Sequence, residues 1–261
     1  MSDPLFVDPD QLFDESHCDH CICGAGLDFD FTFAFQPILD AEEGTVLAYE
    51  ALVRGINGEG AGYVLDQVNK RSMYRFDQAC RVKAVKLASE LGMKEYLSIN
   101  FMPNAVYKAE TCIQTTLAAA KRYQFDTSKL IFEFTEVENL ASTEHLRSII
   151  DAYHEMGFSI ALDDYGAGYS RMNLLIEARP KFLKLDMALI RDVHKQPRKQ
   201  AMIEGTLLSM FRLGVKVIAE GVETEEEYRW CRVAGIRYYQ GYLLAKPGFE
   251  SLPKPYIPEE P

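Results

Sequence analysis

Residues 145–164 read HLRSIIDAYHEMGFSIALDD: a helix-like stretch stops at Gly157, and a short apolar run follows that ends in two aspartates. Apolar side chains recur at helical spacing before the glycine, which suits a helix C-terminus, and β-formers follow it. The same unit recurs elsewhere. In YRFDQACRVKAVKLASELGM, Phe76, Cys80, Ala84, Leu87, Ala88 and Leu91 share one helical face and Gly92 closes it. QAMIEGTLLSMFRLG closes in the same way at Gly214. The strand candidates are FTFAFQPIL, VLAYEALV, YLSIN, KLIFEFTE, FSIALDD, FLKLD, VKVIAEGVE and IRYYQGYLL. Helix, glycine turn and buried strand in alternation predict an α/β fold with a largely parallel sheet. Eight strands over about 220 residues fit a (β/α)8 barrel of the TIM type better than an open sheet. Only DAEEG separates the first two strands, so they form a hairpin and the first strand runs antiparallel to the rest.

The 261 residues carry 28 Lys+Arg against 39 Asp+Glu, a formal charge of -11, with 48% hydrophobic and 26% charged residues. That is globular composition, and the acidic balance excludes a sequence-indifferent binder of nucleic acid polymers, which needs clustered cations. No run approaches the roughly 18 apolar residues of a membrane span, and the acidic start MSDPLFVDPDQLFDE has no signal-peptide core. The expectation is a cytoplasmic protein without membrane contact. Residues 1–28 read as an acidic extension, 29–250 as one barrel domain, and 251–261 as an extended tail; five of the 11 prolines fall in the last 15 residues.

The strands end in polar residues. In order these are Glu50, Asn100, Glu133 with Glu136, the pair Asp163–Asp164, Lys184, Glu220 with Glu223, and Gln240. In a barrel that end carries the active site, because every βα loop opens onto it. Any one of these residues could be a helix cap or a solvated charge. Seven successive strand ends with that chemistry make a site, and converging carboxylates of this kind call for hard divalent cations such as Mg²⁺ or Mn²⁺.

Glu50-Ala51-Leu52, together with the motifs around it, resembles the EAL-type phosphodiesterases, which hydrolyse the bacterial second messenger cyclic di-GMP. The resemblance runs over roughly residues 29–250. Through FAFQPILD, YEALVRG and INFMPNAVY it is nearest to the EAL domains joined to BLUF photosensors, although no BLUF domain is found in this sequence. It implies a first ion held by Glu50, Asn100, Glu133 and Asp163, and a second held by Asp163, Asp164 and Glu220. Lys184, Glu220 and Asp164 would serve catalysis, and water would attack phosphorus to give linear pGpG. Gln36, Leu52, Arg54, Asp186 and Gln240 would line the dinucleotide, with Arg54 as a phosphate fork. Glu136 and Glu223 would brace the loop DDYGAGYSRMNLL, which the family uses to couple the metals to a homodimer interface. Gly166 and Gly168 give that loop backbone freedom. Arg171 and Met172 depart from the usual Ser-Leu there, which bears on coupling and on the dimer contact.

The complete ligand set favours an active enzyme. Two other readings stand beside it: a module that binds cyclic di-GMP, turns it over slowly and signals through a protein partner, and an adaptor with a vestigial site. Cys80, Cys112 and Cys231 sit singly in helix-like segments and read as buried thiols. Cys18, Cys21 and Cys23, flanked by His17 and His20, could hold Zn²⁺, but a second ligand pair is missing and the expectation is a reduced tail.

Overall fold

The computed structural model describes residues 27–103, 106, 109–135, 143–167 and 172–259. The Cys18/Cys21/Cys23 cluster, Glu136, Gly168 and Arg171 lie outside the described residues, as does the side chain of Met172.

Strand β1 (Thr32–Asp40) turns through Ala41–Gly44 into β2 (Thr45–Arg54), and the two pair antiparallel from Thr32↔Arg54 to Asp40↔Thr45. A four-residue turn cannot make the crossover that parallel pairing requires, so the hairpin inverts β1. From β2 the sheet continues in parallel through β3 (Tyr96–Asn100), β4 (Leu130–Thr135), β5 (Ser159–Tyr165), β6 (Phe182–Leu185), β7 (Lys216–Ala219) and β8 (Tyr238–Tyr239). It closes where β8 meets β1 antiparallel at Leu39↔Tyr239 and Asp40↔Tyr238. The protein is therefore a modified TIM barrel with its first strand reversed, as the hairpin spacing predicts. A further two-residue strand, β9 (Gly248–Phe249), pairs with the opposite half of β1. Beyond it, residues 251–259 are neither helix nor strand, and they lie on the β1–β2 hairpin: Tyr49 donates to Pro253 O at 3.1 Å.

The helices pack outside. The two main ones on the β2–β4 side are α2 (Met73–Glu90), which follows the short α1 (Ala61–Leu65), and α4 (Gln114–Tyr123), which follows α3 (Ala109–Cys112). Next come α5 (Thr143–Glu155), α6 (Met172–Ala178), the single turn α7 (Met187–Ile190), α8 (Pro197–Leu213) and α9 (Glu225–Val233). Proline at the start of α8 and Gly214 at its end, φ +70°, follow the usual asymmetry of helix termini. Cys80, Cys112 and Cys231 are buried thiols outside any disulfide, in α2, α3 and α9. Among the described residues no helix is long and apolar enough to cross a membrane.

Two apolar layers hold the barrel. The outer one, between strands and helices, includes Phe35, Leu97, Phe132 and Leu185. Arg81 is buried within it. It pairs with Asp77 at 2.7 Å and donates to the Tyr153 hydroxyl at 2.7 Å, alongside the rings of Phe101 and Phe132. Asp77 also accepts the Met102 N–H at 3.0 Å, which ties the chain just past Asn100 to α2. The inner layer is a plug of Ile38, Ala48, Ile131, Ala161, Phe182, Ile218 and Tyr238.

A carboxylate cluster at the barrel mouth

The plug fixes the site by simple counting. Side chains on a strand return to the same face every second residue. Two residues beyond Ala48, Ile131, Ala161, Phe182, Ile218 and Tyr238 stand Glu50, Glu133, Asp163, Lys184, Glu220 and Gln240; two before Ile38, on the reversed strand, stands Gln36. One pleat period thus converts a dry interior into a polar tier at the mouth.

Glu50, Glu133 and Asp163 each offer a carboxylate oxygen within 4.8 Å of the others, and so do Asp163, Asp164 and Glu220. Asp163 belongs to both groups. Neighbours on a strand should point to opposite faces, yet Asp164 joins Asp163. The pairing of β5 with β6 shifts register between Leu162 and Tyr165, and Asp164 takes φ +57°. This is a bulge of the kind that re-aims a side chain beside an active site. The Asp164 N–H also donates to Asp163 Oδ1 at 2.8 Å.

Lys184, 1% exposed, stands at the centre of the tier. Its Nζ lies 2.7 Å from Glu133, 2.7 Å from Glu220, and 3.3 Å from both Glu50 and Asp163. Burial pushes Glu133 up to about 8, with Glu50 and Asp163 adding repulsion against the pull of Lys184. Burial and the Asp163 charge drive Glu220 well above the carboxylate range, and burial, then Asp163, brings Asp164 to about 6. Glu50 goes the other way. Burial opposes ionisation there, but Lys184, Gln240 and Asn100 outweigh it. Gln240 Nε2 and Asn100 Nδ2 each donate to Glu50 at 2.9 Å, which leaves the Asn100 amide oxygen for a cation. Ser98 Oγ donates to Glu133 from below.

These donors fit hard divalent cations. All are oxygens, and once all five carboxyls are ionised, as ligands to cations must be, they carry four negative charges net of the Lys184 ammonium, which two divalent ions would neutralise. The cavity above them has a volume of about 370 Å³ and is also lined by Gln36, Asp186, Met187, Glu223 and Tyr242. Gln36 donates to Ala245 O at 3.0 Å, and Asp186 caps α7 through the Ala188 N–H at 2.8 Å. Leu52 and Arg54 continue the Glu50 face of β2 outward, and neither lines this cavity; Arg54 Nη1 donates to Val53 O at 2.7 Å. The Glu223 carboxylate pairs with Arg191 at 2.7 Å. Ser98, Met187, Arg191 and Tyr242 are absent from the residues that the strand-end pattern singles out. Only Ser98, two residues before Asn100, and Tyr242, two past Gln240, had a local signal.

A closed β/α barrel opens its active site at this mouth, and the two acidic groups there suit divalent cations. Residues 27–247 match the EAL domain family, and the chain belongs to it. A solved structure of a standalone versatile EAL protein from Vibrio cholerae O395, in its c-di-GMP-bound form, superposes with a TM-score of 0.86 at 48% identity, covering 88% of this chain and 98% of that one. The blue light- and temperature-regulated antirepressor BluF of Escherichia coli is 31% identical over 87% of this chain. The cyclic di-GMP phosphodiesterase PA2567 of Pseudomonas aeruginosa is 28% identical over 85%. The chain spans 57% of the length of the former and 39% of the latter.

Proposed function

We propose that this chain hydrolyses cyclic di-GMP to linear pGpG with the help of two Mg²⁺ or Mn²⁺ ions. The observation that carries the reading is the shared Asp163, which joins two groups of carboxylates each within 4.8 Å. Glu50, Asn100, Glu133 and Asp163 would hold one ion, and Asp163, Asp164 and Glu220 the other. When bound, such a pair lowers the pKa of a shared water and clamps the attacking and leaving oxygens. Lys184 places a fixed positive charge among these ligands, where charge gathers on the phosphoryl oxygens in the transition state. Glu220 would be the candidate base for the attacking water as well as a ligand of the second ion. Gln36, Leu52, Arg54, Asp186 and Gln240 would receive the dinucleotide, and Glu136 and Glu223 would brace the loop after Asp164. In this reading residues 29–250 carry the activity, flanked by 1–28 and 251–261, and the working form is a cytoplasmic homodimer.

The test is incubation with cyclic di-GMP and Mg²⁺ or Mn²⁺, with a chelator control, and chromatography of the products. Metal-dependent pGpG is expected, and Glu50→Ala should abolish most of it with the fold retained. Intact dinucleotide with binding visible by calorimetry would favour a receptor that signals through a protein partner. BluF, which is named as an antirepressor, supports that second reading.

A further inference from the structure

The two cation groups are built differently. Glu50, Glu133 and Asp163 stand on the ladder β2–β3–β4–β5, whose register is unbroken and fixes their separation, whereas the β5–β6 pairing shifts register at Asp164. Asp164 and Glu220 stand at the outer ends of β5 and β7, with β6 between them. What holds their loops at one spacing is the segment that leaves β6.

Backbone bonds tie both loops to that segment: Asp186 N–H to Tyr165 O and Glu220 N–H to Leu185 O, each at 3.1 Å. The turn α7 then sits against both. Gly221, φ +64°, lies so near that a Cβ there would fall 2.4 Å from Met187 Cβ and 3.3 Å from its Cα. Gly166, φ +97°, lies against Leu189; a Cβ there would fall 2.3 Å from Leu189 Cδ1. Arg191, just past the turn, pairs with Glu223 at 2.7 Å and donates to Gly221 O at 3.4 Å. Buried Glu227 locks the far side by accepting the Asp192 N–H at 2.9 Å and the Glu223 N–H at 3.0 Å.

We propose that α7 is a wedge that sets the distance between the Asp164 loop and the Glu220 loop, with Leu189 and Arg191 as positioning residues for the second cation alone. The inference rests on the two-cation reading above and adds to it the device that assembles the second site.

Manganese alone is the probe. Binding to the wild-type chain and to Leu189→Ala, Arg191→Ala and Leu189→Met is measured by calorimetry, and the spin-coupled Mn²⁺ pair by electron paramagnetic resonance, both without dinucleotide. Wild type should bind two ions. Leu189→Ala and Arg191→Ala should keep one at wild-type affinity and weaken the other about tenfold or more, the usual scale for a supporting residue. The coupled signal should fade, kcat should fall with KM little changed, and Leu189→Met should restore the pair. Wild-type affinities for both ions in the two alanine variants overturn the wedge while leaving the two-cation reading intact. Equal weakening of both ions overturns it as well, as a general loss of structure. A wild-type chain that binds fewer than two ions overturns the two-cation reading and the wedge with it.

Discussion

Lys184 Nζ lies 2.7 Å from Glu133 Oε2 across the barrel interior, and each side chain is only 1% exposed. A buried pair of this kind is costly to break, because removing one member strands the other's charge in a poorly solvated place. Here the carboxyls left without that counter-charge would include Glu50, whose ionised form Lys184 favours, and Asp163 and Glu220 as well. Lys184 is thus both a candidate catalytic group and the internal counter-charge of the tier.

Lys184→Met should therefore destabilise the chelated protein by about 3 kcal/mol, a loss of roughly 6–12 °C in Tm for a chain of this size. Mn²⁺ should recover part of the loss, since ligands that bind only the folded state stabilise it. Turnover should fall further than metal affinity. Thermal unfolding in chelator and in Mn²⁺ is the check, and an unchanged Tm in both would deny Lys184 the counter-charge role.

Acid stability should depend on the opposite end of the barrel. Asp40, the last residue of β1, receives Arg237 Nε at 2.7 Å and Nη2 at 2.6 Å, a fork that clasps β1 to β8 where the barrel closes. Burial alone would raise the Asp40 carboxyl, but Arg237 and the N–H groups of Glu43 and Glu42 hold it below its usual value. A carboxylate with a lowered folded pKa stabilises the fold fully above its unfolded value, and that contribution is lost as pH falls through the folded one. Denaturation curves from pH 6 to pH 3 should show Asp40→Asn less stable at pH 6 and less sensitive to acid. Parallel curves for the two proteins would exclude the fork as a source of acid sensitivity.

Ser98 should matter to the first cation without touching it. It is fully buried, and its hydroxyl donates to Glu133 Oε1. Ser98→Ala removes one oxygen, opens little space and frees Glu133 to reorient. Removing a hydrogen-bond partner behind a metal ligand typically weakens metal binding about 10–100-fold. Calorimetric titration with Mn²⁺ should show that loss in one of the two steps, with Tm in chelator nearly unchanged; wild-type titration would mean that the strands alone fix Glu133.

The residues of the mouth were legible because the rule that places them is local. A buried strand must leave its interior face at the rim, and the next inward residue is then free to be polar, so Glu50, Glu133 and Lys184 announce themselves after Ala48, Ile131 and Phe182. The reversed first strand was legible for the same reason, since a DAEEG turn admits one geometry. What escaped depends on distant partners. Four residues of α7 are too few to show a period, and β9 has only two. The Arg191–Glu223 pair joins positions 32 apart and has no signature in either segment. The positive φ of Asp164 follows from the β5–β6 bulge, which register decides.

Arg54 offers the cleanest separation of binding from chemistry. It shares the inward alternation of β2 with Glu50 and Leu52 but stands beyond the carboxylates, with Nη1 on Val53 O at 2.7 Å. From there a guanidinium can present two parallel donors to a phosphate. Hydrogen bonds to a charged group contribute about 1.5–3 kcal/mol, so Arg54→Ala should raise the Kd for cyclic di-GMP by roughly 10–150-fold. Arg54→Lys should recover only part of this, because an ammonium cannot reproduce the planar fork. Mn²⁺ affinity and Tm should stay at wild-type values in both variants, since neither cation group includes Arg54. Calorimetry with the dinucleotide in Ca²⁺, with chromatography to check that the dinucleotide stays intact, gives the binding constant, and an unchanged Kd in Arg54→Ala would remove this residue from the phosphate site.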